Sequence, residues 1–215
     1  VILLAFGLFI FFSNQFFFRL IAENLQEKVN YNPSNFKFYF ILIYELLIMA
    51  MLAYFLKVRG WKLQDFNLDI SFKILGIGVL LLMFSNLILN IVYMLPEYLS
   101  VNIESTTYQL NIKPTAHIGI IILSSVIINP IFEEVFLVGY LSKWFSNFTP
   151  VVFIIVSIAL RLSYHTYQGL WALTGMTIFG LILTLYYVRY KRLTPVVIAH
   201  ALFNLSFYLR TMYEE

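Results

Sequence analysis

The chain has 215 residues, of which 61% are hydrophobic and only 12% are charged. Soluble domains carry about 25% charged residues, so this composition, with a mean hydropathy of +0.84, excludes an ordinary soluble domain and indicates an integral membrane protein. The absence of cysteine excludes disulfides, thiolate metal sites and cysteine nucleophiles, and the dispersed net charge of +3 argues against a nucleic-acid partner.

Seven stretches of the chain approach the length of about 20 apolar residues that a helix needs to cross a bilayer. In chain order they run over about 1–22, 36–56, 74–95, from 116 to beyond 134, 151–167, 170–188 and 195–213. Their apolar residues are continuous and do not alternate, which argues against barrel strands. The predicted fold is all-α: a polytopic membrane helix bundle of about seven (seven to eight) transmembrane helices in a single membrane domain, 1–215.

The first stretch is too long for a signal peptide and has no cleavage site of small residues. Because the chain begins at Val1 and not at Met, we expect further residues to precede it.

Basic residues mark one set of connections between the predicted helices. The connections after the second, fourth and sixth helices contain Lys57, Arg59, Lys62, Lys73, Lys143, Arg189, Lys191 and Arg192. The other connections mix both signs of charge, with Glu23, Glu27, Lys28, Glu97, Glu104 and Lys113. Lysine and arginine accumulate on the cytoplasmic side of membrane proteins, so the basic connections and the N-terminus are predicted to be cytoplasmic.

Ionisable side chains inside predicted spans are the candidates for function, because burying each in lipid costs several kcal/mol. These side chains are Glu45, Glu133, Glu134, Arg161, His165 and His200. Glu45, alone in the second helix, is interpreted as a hydrogen-bonded structural acid in preference to a catalytic one. Pro130 removes a helical hydrogen bond just before the glutamate pair and can open a kink with room for water.

Two further pairs have the spacing of neighbours on one helix face: Arg161 with His165, and His200 with Asn204. Adjacent glutamates point about 100° apart on a helix, so one can aim at a shared centre while the other supports it. A buried carboxylate can act as general base on water, an imidazole can orient that water, and a His–Asn pair can stabilise an oxyanion. Taken singly, each feature also fits helix packing or a misassigned loop; together they favour a hydrolytic centre.

The stretches "EEVFLVGYL", "RLSYHTYQG" and "HALFN" together resemble the CAAX-protease and bacteriocin-processing (Abi) family of intramembrane peptidases. The motifs of that family are Glu-Glu-x-x-x-Arg, usually followed by Gly, then a His four residues after a Phe, then His-x-x-x-Asn or Asp. Their order, spacing and membrane context match over roughly 130–204.

The resemblance implies roles at the matching positions only. Glu133 would be the general base that activates water together with His165, and Glu134 would be the supporting acid. His200 and Asn204 would stabilise the oxyanion. The predicted topology places His200 shallow and His165 deep in the bilayer, so a tilted or longer fourth helix is needed to bring both to Glu133.

Two positions depart from the family pattern. Val138 stands where the first motif has arginine, although Gly139 is retained, and Arg161 stands where the second motif has phenylalanine. Two close carboxylates cannot both ionise cheaply in a dry site, which leads to the hypothesis that Arg161 replaces the missing cation by pairing with Glu134 from the neighbouring helix.

The function implied by the resemblance is intramembrane cleavage of a peptide or membrane-associated protein, in the manner of signalling-peptide or bacteriocin maturation. The Ile-, Phe- and Asn-rich composition favours a bacterial plasma membrane and a small peptide over a prenylated substrate. The partners are then a peptide or protein substrate and the lipid bilayer, and the oligomeric state is left open. The alternatives are a catalytically inactive immunity or regulatory scaffold, and a proton-coupled transporter that uses Glu45, Glu133 and the histidines.

Metal dependence is a separate question. Glutamates and histidines are competent zinc ligands, and a zinc site would use Glu133, His165 and His200. No His-Glu-x-x-His motif is present, however, and adjacent glutamates are awkward joint ligands. The sequence therefore favours a metal-free glutamate mechanism without a cofactor.

Overall fold

The computed structural model describes residues 6–11, 13–14, 30–31, 35–98, 109–110, 118–168 and 170–213. Residues 6–11 and 13–14 are helical. The longer helices are α1 (Asn35–Val58), α2 (Phe72–Tyr98), α3 (118–144), α4 (Pro150–His165), α5 (Leu170–Tyr190) and α6 (Thr194–Tyr213). Short 3-10 turns lie at Leu63–Phe66 and Thr166–Gln168, and two-residue strands, β1 (Asn30–Tyr31) and β2 (Gln109–Leu110), pair in parallel.

The described helices confirm the all-α membrane bundle. Four of their segments are long and apolar enough to cross a membrane: Tyr39–Val58, Phe72–Leu95, Ile122–Trp144 and Ala172–Tyr190. Helix α4 is apolar but has 16 residues, and α6 has 20 residues but is more polar. Most of the first predicted span and the connections with Glu23, Glu27, Lys28, Glu104 and Lys113 lie outside the described residues. Crossings beyond these four, and the single domain, stay predictions.

Helix α3 lies at the centre of the bundle. In its apolar window 56% of the residues are buried, against 22 to 33% in the other three candidate spans. The outer helices α1 and α2 expose large apolar side chains, among them Tyr54, Leu80 and Met94. Such a surface is unstable in water but suits lipid, so the bundle has an apolar exterior and a centre in which polar groups must find partners.

Two π-helical turns, Ile122–Ile128 and Val135–Tyr140, interrupt α3 on either side of the α-helical Asn129–Glu134. In a π turn the N–H of residue i+5 bonds the carbonyl of residue i, so Ser125 would be paired with residue 130. Pro130 has no N–H, and the Asn204 amide of α6 donates to the Ser125 carbonyl instead, at 2.8 Å. Asn204 thereby compensates the hydrogen bond that Pro130 removes.

The second π turn is tied to α4 in a similar way. The hydroxyl of Ser157 donates to the Leu137 carbonyl at 2.9 Å, and this bond is buried. Side chains of α6 and α4 thus bond loosened carbonyls before and after the glutamate pair. Because unsatisfied carbonyls are costly in an apolar interior, these bonds fix both helices against the centre of α3.

The connection between α1 and α2 docks on the C-terminal end of α3. Phe66 lies against Gly139, where a Cβ would come within 2.9 Å of the phenyl ring, so the close approach requires glycine here. Lys143 forms an ion pair with Asp65 at 3.2 Å. The backbone N–H of Lys62 and the Lys143 ammonium hold the pKa of the Asp65 carboxyl below its usual value.

Helices α2 and α6 pack along each other, and they are in tight contact at Gly78. A Cβ on Gly78 would lie 2.6 Å from Cγ2 of Ile198 and 3.2 Å from the Pro195 carbonyl. Gly76, on the same helix, has open space around the equivalent position. The two glycines therefore separate the effect of helix packing from that of helix propensity.

We predict that Gly78→Ala destabilises the protein relative to Gly76→Ala by about 1–3 kcal/mol, the usual cost of overpacking. Both substitutions gain the same helix propensity, so their difference reports the contact with α6. Thermal unfolding of both variants in detergent measures it. Equal stability of the two variants would show that α2 and α6 do not approach each other at Gly78.

Candidate active site

The glutamate pair of α3 is buried at the centre of the bundle, with Glu133 3% and Glu134 0% exposed. Because adjacent side chains diverge on a helix, the two carboxyls face different neighbours. Glu134 meets His200 of α6, and Glu133 meets Tyr164 of α4. Both glutamates, not one, therefore take part in the same polar cluster.

Arg161 of α4 lies between the two carboxyls. Its Nη2 donates to both oxygens of Glu134, at 2.8 and 3.0 Å, and its Nη1 donates to Oε2 of Glu133 at 3.4 Å. This contact is the one that the compensation hypothesis requires: the guanidinium reaches Glu134 from a neighbouring helix. Arg161 is itself only 1% exposed, so its charge and those of the carboxyls depend on one another.

Gly180 of α5 makes room for the arginine. A Cβ at this position would lie 3.0 Å from Cδ and 3.1 Å from Nε of Arg161. The side chain of the arginine therefore passes directly over the backbone of α5, where only glycine leaves space without a shift.

Glu133 receives its remaining contacts from α4 and from its own helix. The Tyr164 hydroxyl donates to Oε2 at 2.6 Å, and the Asn129 amide donates to Oε1 at 3.2 Å. Nε2 of His165 lies 4.0 Å from Oε2. The His165 side chain is 14% exposed, against 4% for that of Glu133, so His165 marks the side of the cluster nearest the surface.

His200 completes the cluster from α6. Its Nδ1 lies 2.6 Å from Oε1 of Glu134, and its ring packs edge-on against Phe179 of α5. Asn204, one turn further along α6, bonds the Ser125 carbonyl and does not contact the carboxyls. One of its two amide hydrogens is used in that bond, and the described residues provide no acceptor for the other.

The structure thus brings Glu133, Glu134, Arg161, His165 and His200 together, with each imidazole next to a different glutamate. The expected conflict in depth between the two histidines does not arise, because the two rings contact different carboxyls. His165 lies next to Glu133, and His200 lies next to Glu134. Asn204 borders the cluster.

Sequence reasoning missed Asn129 and Tyr164. The i,i+4 spacing of Asn129 and Glu133 indicates that the two side chains share a helix face, so Asn129 could have been found from the sequence. Tyr164 is adjacent to His165, and no helical spacing relates it to the other site residues.

Three residues of this cluster have the side chains and the spacing of metal ligands. Ligand atoms of Glu133, Glu134 and His200 lie within 4.8 Å of one another, whereas the predicted zinc set had His165 in place of Glu134. The guanidinium of Arg161 already bonds both carboxyls, and a second cation in contact with it would be repelled. The positions of these three ligand atoms thus suit a metal ion, whereas the charge of Arg161 opposes one.

We predict that Arg161→Ala destabilises the protein by about 3–5 kcal/mol, because it leaves buried carboxylates without a counter-charge. Arg161→Lys keeps the charge but loses the planar fork and should cost less. Thermal unfolding in detergent measures both. Glu134→Gln serves as the matched partner: combined with Arg161→Ala it should recover part of the loss, and strictly additive effects would contradict the pairing.

Comparison with known proteins supports the reading of these motifs. Residues 115–206 match the model of the family described as type II CAAX prenyl endopeptidase Rce1-like. Searches of curated proteins and of solved structures found no significant match. The matched segment contains all three motifs and both predicted histidines, and it confirms the resemblance that the motifs indicated. The segment that builds this site, residues 115–206, is therefore similar to the Rce1-like family of CAAX endopeptidases.

Proposed function

We propose that the protein is an intramembrane endopeptidase in which Glu133 and His165 activate a water molecule for attack on a peptide bond. The observation that carries the proposal is the placement of a buried carboxylate 4.0 Å from the most exposed imidazole of the cluster, inside the segment that matches an endopeptidase family. That separation is too long for a direct hydrogen bond, and a slight opening would admit a water bonded to both groups.

Glu133 acts as the general base. It takes a proton from the water while the oxygen bonds the carbonyl carbon of the substrate, and the same proton then passes to the leaving amine as the C–N bond breaks. Arg161 and Tyr164 both bond Oε2 of Glu133; the guanidinium balances the negative charge and the hydroxyl orients the carboxylate. Neither contact uses the lone pairs of Oε1, whose hydrogen-bond partner among the described residues is Asn129.

Glu134 and His200 supply the electrophilic side of the site. The guanidinium of Arg161 contacts both carboxyls, and Glu134 holds the His200 ring through Nδ1. Nε2 of that ring is thereby directed away from Glu134, toward the position proposed for the oxyanion of the tetrahedral intermediate. The second amide hydrogen of Asn204 is the other donor available on the same helix face.

The substrate is a peptide or membrane-associated protein that reaches the site from the bilayer. The exposed side of His165 is where it would enter. The basic connections between the helices support a cytoplasmic orientation of this end of the bundle, and the membrane we propose is a bacterial plasma membrane. In the maturation of a signalling peptide or a bacteriocin, the substrate would be a peptide without a prenyl group. The name of the matched family includes prenyl substrates, so both kinds are tested.

We predict that Glu133→Gln lowers cleavage by about 10²- to 10⁴-fold, the usual contribution of a general base. The protein is reconstituted in phospholipid vesicles with a quenched fluorescent peptide that ends in a CAAX sequence, with and without a farnesyl group. In parallel, mass spectrometry compares the peptides released by bacteria that express the wild type or Glu133→Gln. His165→Ala and Arg161→Ala should lose activity similarly.

The control is Gly76→Ala, which lies in open space on α2 and should cleave as the wild type does. If the wild type releases no product that Glu133→Gln lacks, the protein is an inactive scaffold. If Glu133→Gln reduces proton flux across the vesicle membrane and leaves the cleavage signal as it is in the wild type, the protein is instead a transporter. Intact activity of Arg161→Ala at normal protein levels would disprove the compensating role of the arginine.

We predict that purified protein keeps its cleavage activity in strong chelator, because Arg161 already provides the cation between the carboxyls. Cleavage of the fluorescent peptide before and after dialysis against chelator measures this. Loss of activity that added zinc restores would overturn the metal-free mechanism, and magnesium serves as the control cation.

A further inference from the structure

Glu45 of α1 reaches the candidate site from outside the segment that matches the family. Its side chain is 0% exposed, and its Oε1 accepts a hydrogen bond from the Asn129 amide at 2.8 Å. The same Nδ2 atom donates to Oε1 of Glu133 at 3.2 Å. One amide group therefore joins two buried carboxyl groups on two helices.

The orientation of the Asn129 amide follows from its neighbours. An amide nitrogen carries two hydrogens, and here each is directed at one carboxyl oxygen. The reversed orientation would place the amide oxygen against two carboxyl oxygens and would leave both without a donor. With Glu45 removed, one hydrogen of Nδ2 would lose its acceptor in a partly buried position, and the amide would be free to turn from Glu133.

Glu45 has no other role among the described residues. Its Oε2 has no hydrogen-bond partner in that part of the chain, and no ion pair with a basic residue is found there. A buried acid without a counter-ion destabilises a span by several kcal/mol, so an apolar residue would serve packing better. What the acid contributes is the acceptor for Asn129.

We propose that Glu45 is a positioning residue for Glu133, acting through Asn129. The proposal rests on the proposed function and extends the active centre to α1. Tyr164 and Arg161 hold Oε2 of Glu133, and the Glu45–Asn129 unit holds Oε1 from the opposite side. The carboxylate is thereby held from both sides, and its plane is set toward the water that it shares with His165.

The test compares Glu45→Gln with Glu45→Leu. Glutamine retains an oxygen that can accept from Asn129, whereas leucine has similar volume and no acceptor. In the vesicle assay with the CAAX peptides, we expect kcat of Glu45→Leu to fall about 10- to 100-fold, as for other supporting hydrogen-bond partners of reactive groups. Glu45→Gln should stay within about twofold of the wild type and keep its pH profile. KM should not change, because Glu45 does not touch the substrate.

Asn129→Leu removes the amide that joins Glu45 to Glu133. This variant keeps the proposal testable if Glu45→Leu does not fold. Its loss in kcat should equal that of Glu45→Leu, and the double variant should lose no more, since both act through one contact. Cleavage by the wild type together with unchanged kcat in a folded Glu45→Leu or Asn129→Leu protein would overturn this proposal alone. A shifted pH profile in Glu45→Gln would also overturn it, in favour of proton transfer by Glu45. A wild type that cuts neither peptide would overturn the proposed function and this inference with it.

Discussion

Two carboxyl groups share one guanidinium in the apolar interior of this bundle, and the remaining contacts of the site are arranged around that triad. Arg161 bonds both oxygens of Glu134 and one of Glu133. Buried charges are tolerated only when they are paired and hydrogen-bonded, so α3 and α4 cannot separate without exposing all three groups to lipid. The ion pair therefore sets the distance at which Glu133 faces His165.

Helix α3 supplies the geometry that makes this pairing possible. A π turn lies on either side of the glutamates, and each loosens carbonyls that other helices then bond. The Asn204 amide donates to the Ser125 carbonyl in place of the N–H that Pro130 lacks. The Ser157 hydroxyl donates to the Leu137 carbonyl. The two π turns that interrupt α3 therefore also fix the positions of α6 and α4 against it. These two helices carry His200 and His165.

The cation that contacts the glutamates lies on α4, whereas the family pattern has an arginine at the position of Val138. Val138 is fully buried in an apolar environment where the first motif has arginine, and Arg161 supplies the charge from α4. Gly180 leaves the space that the arginine needs. A site of this kind depends on where the charge lies and not on which helix carries it, so the loss of the motif arginine is compatible with a balanced centre.

The sequence by itself determined the helical membrane class, because long continuous apolar runs admit little else. It also identified the residues that are costly to bury and therefore candidates for function, namely the glutamate pair, Arg161, His165 and His200. Spacing along one helix predicted which of these share a face. Only the tertiary structure decided that each histidine meets a different glutamate, that Asn204 bonds a backbone carbonyl, and that Tyr164, Asn129 and Glu45 belong to the site. Those contacts depend on how α1, α4 and α6 rotate and slide against α3, and no periodicity within a single helix encodes the rotation of its neighbours.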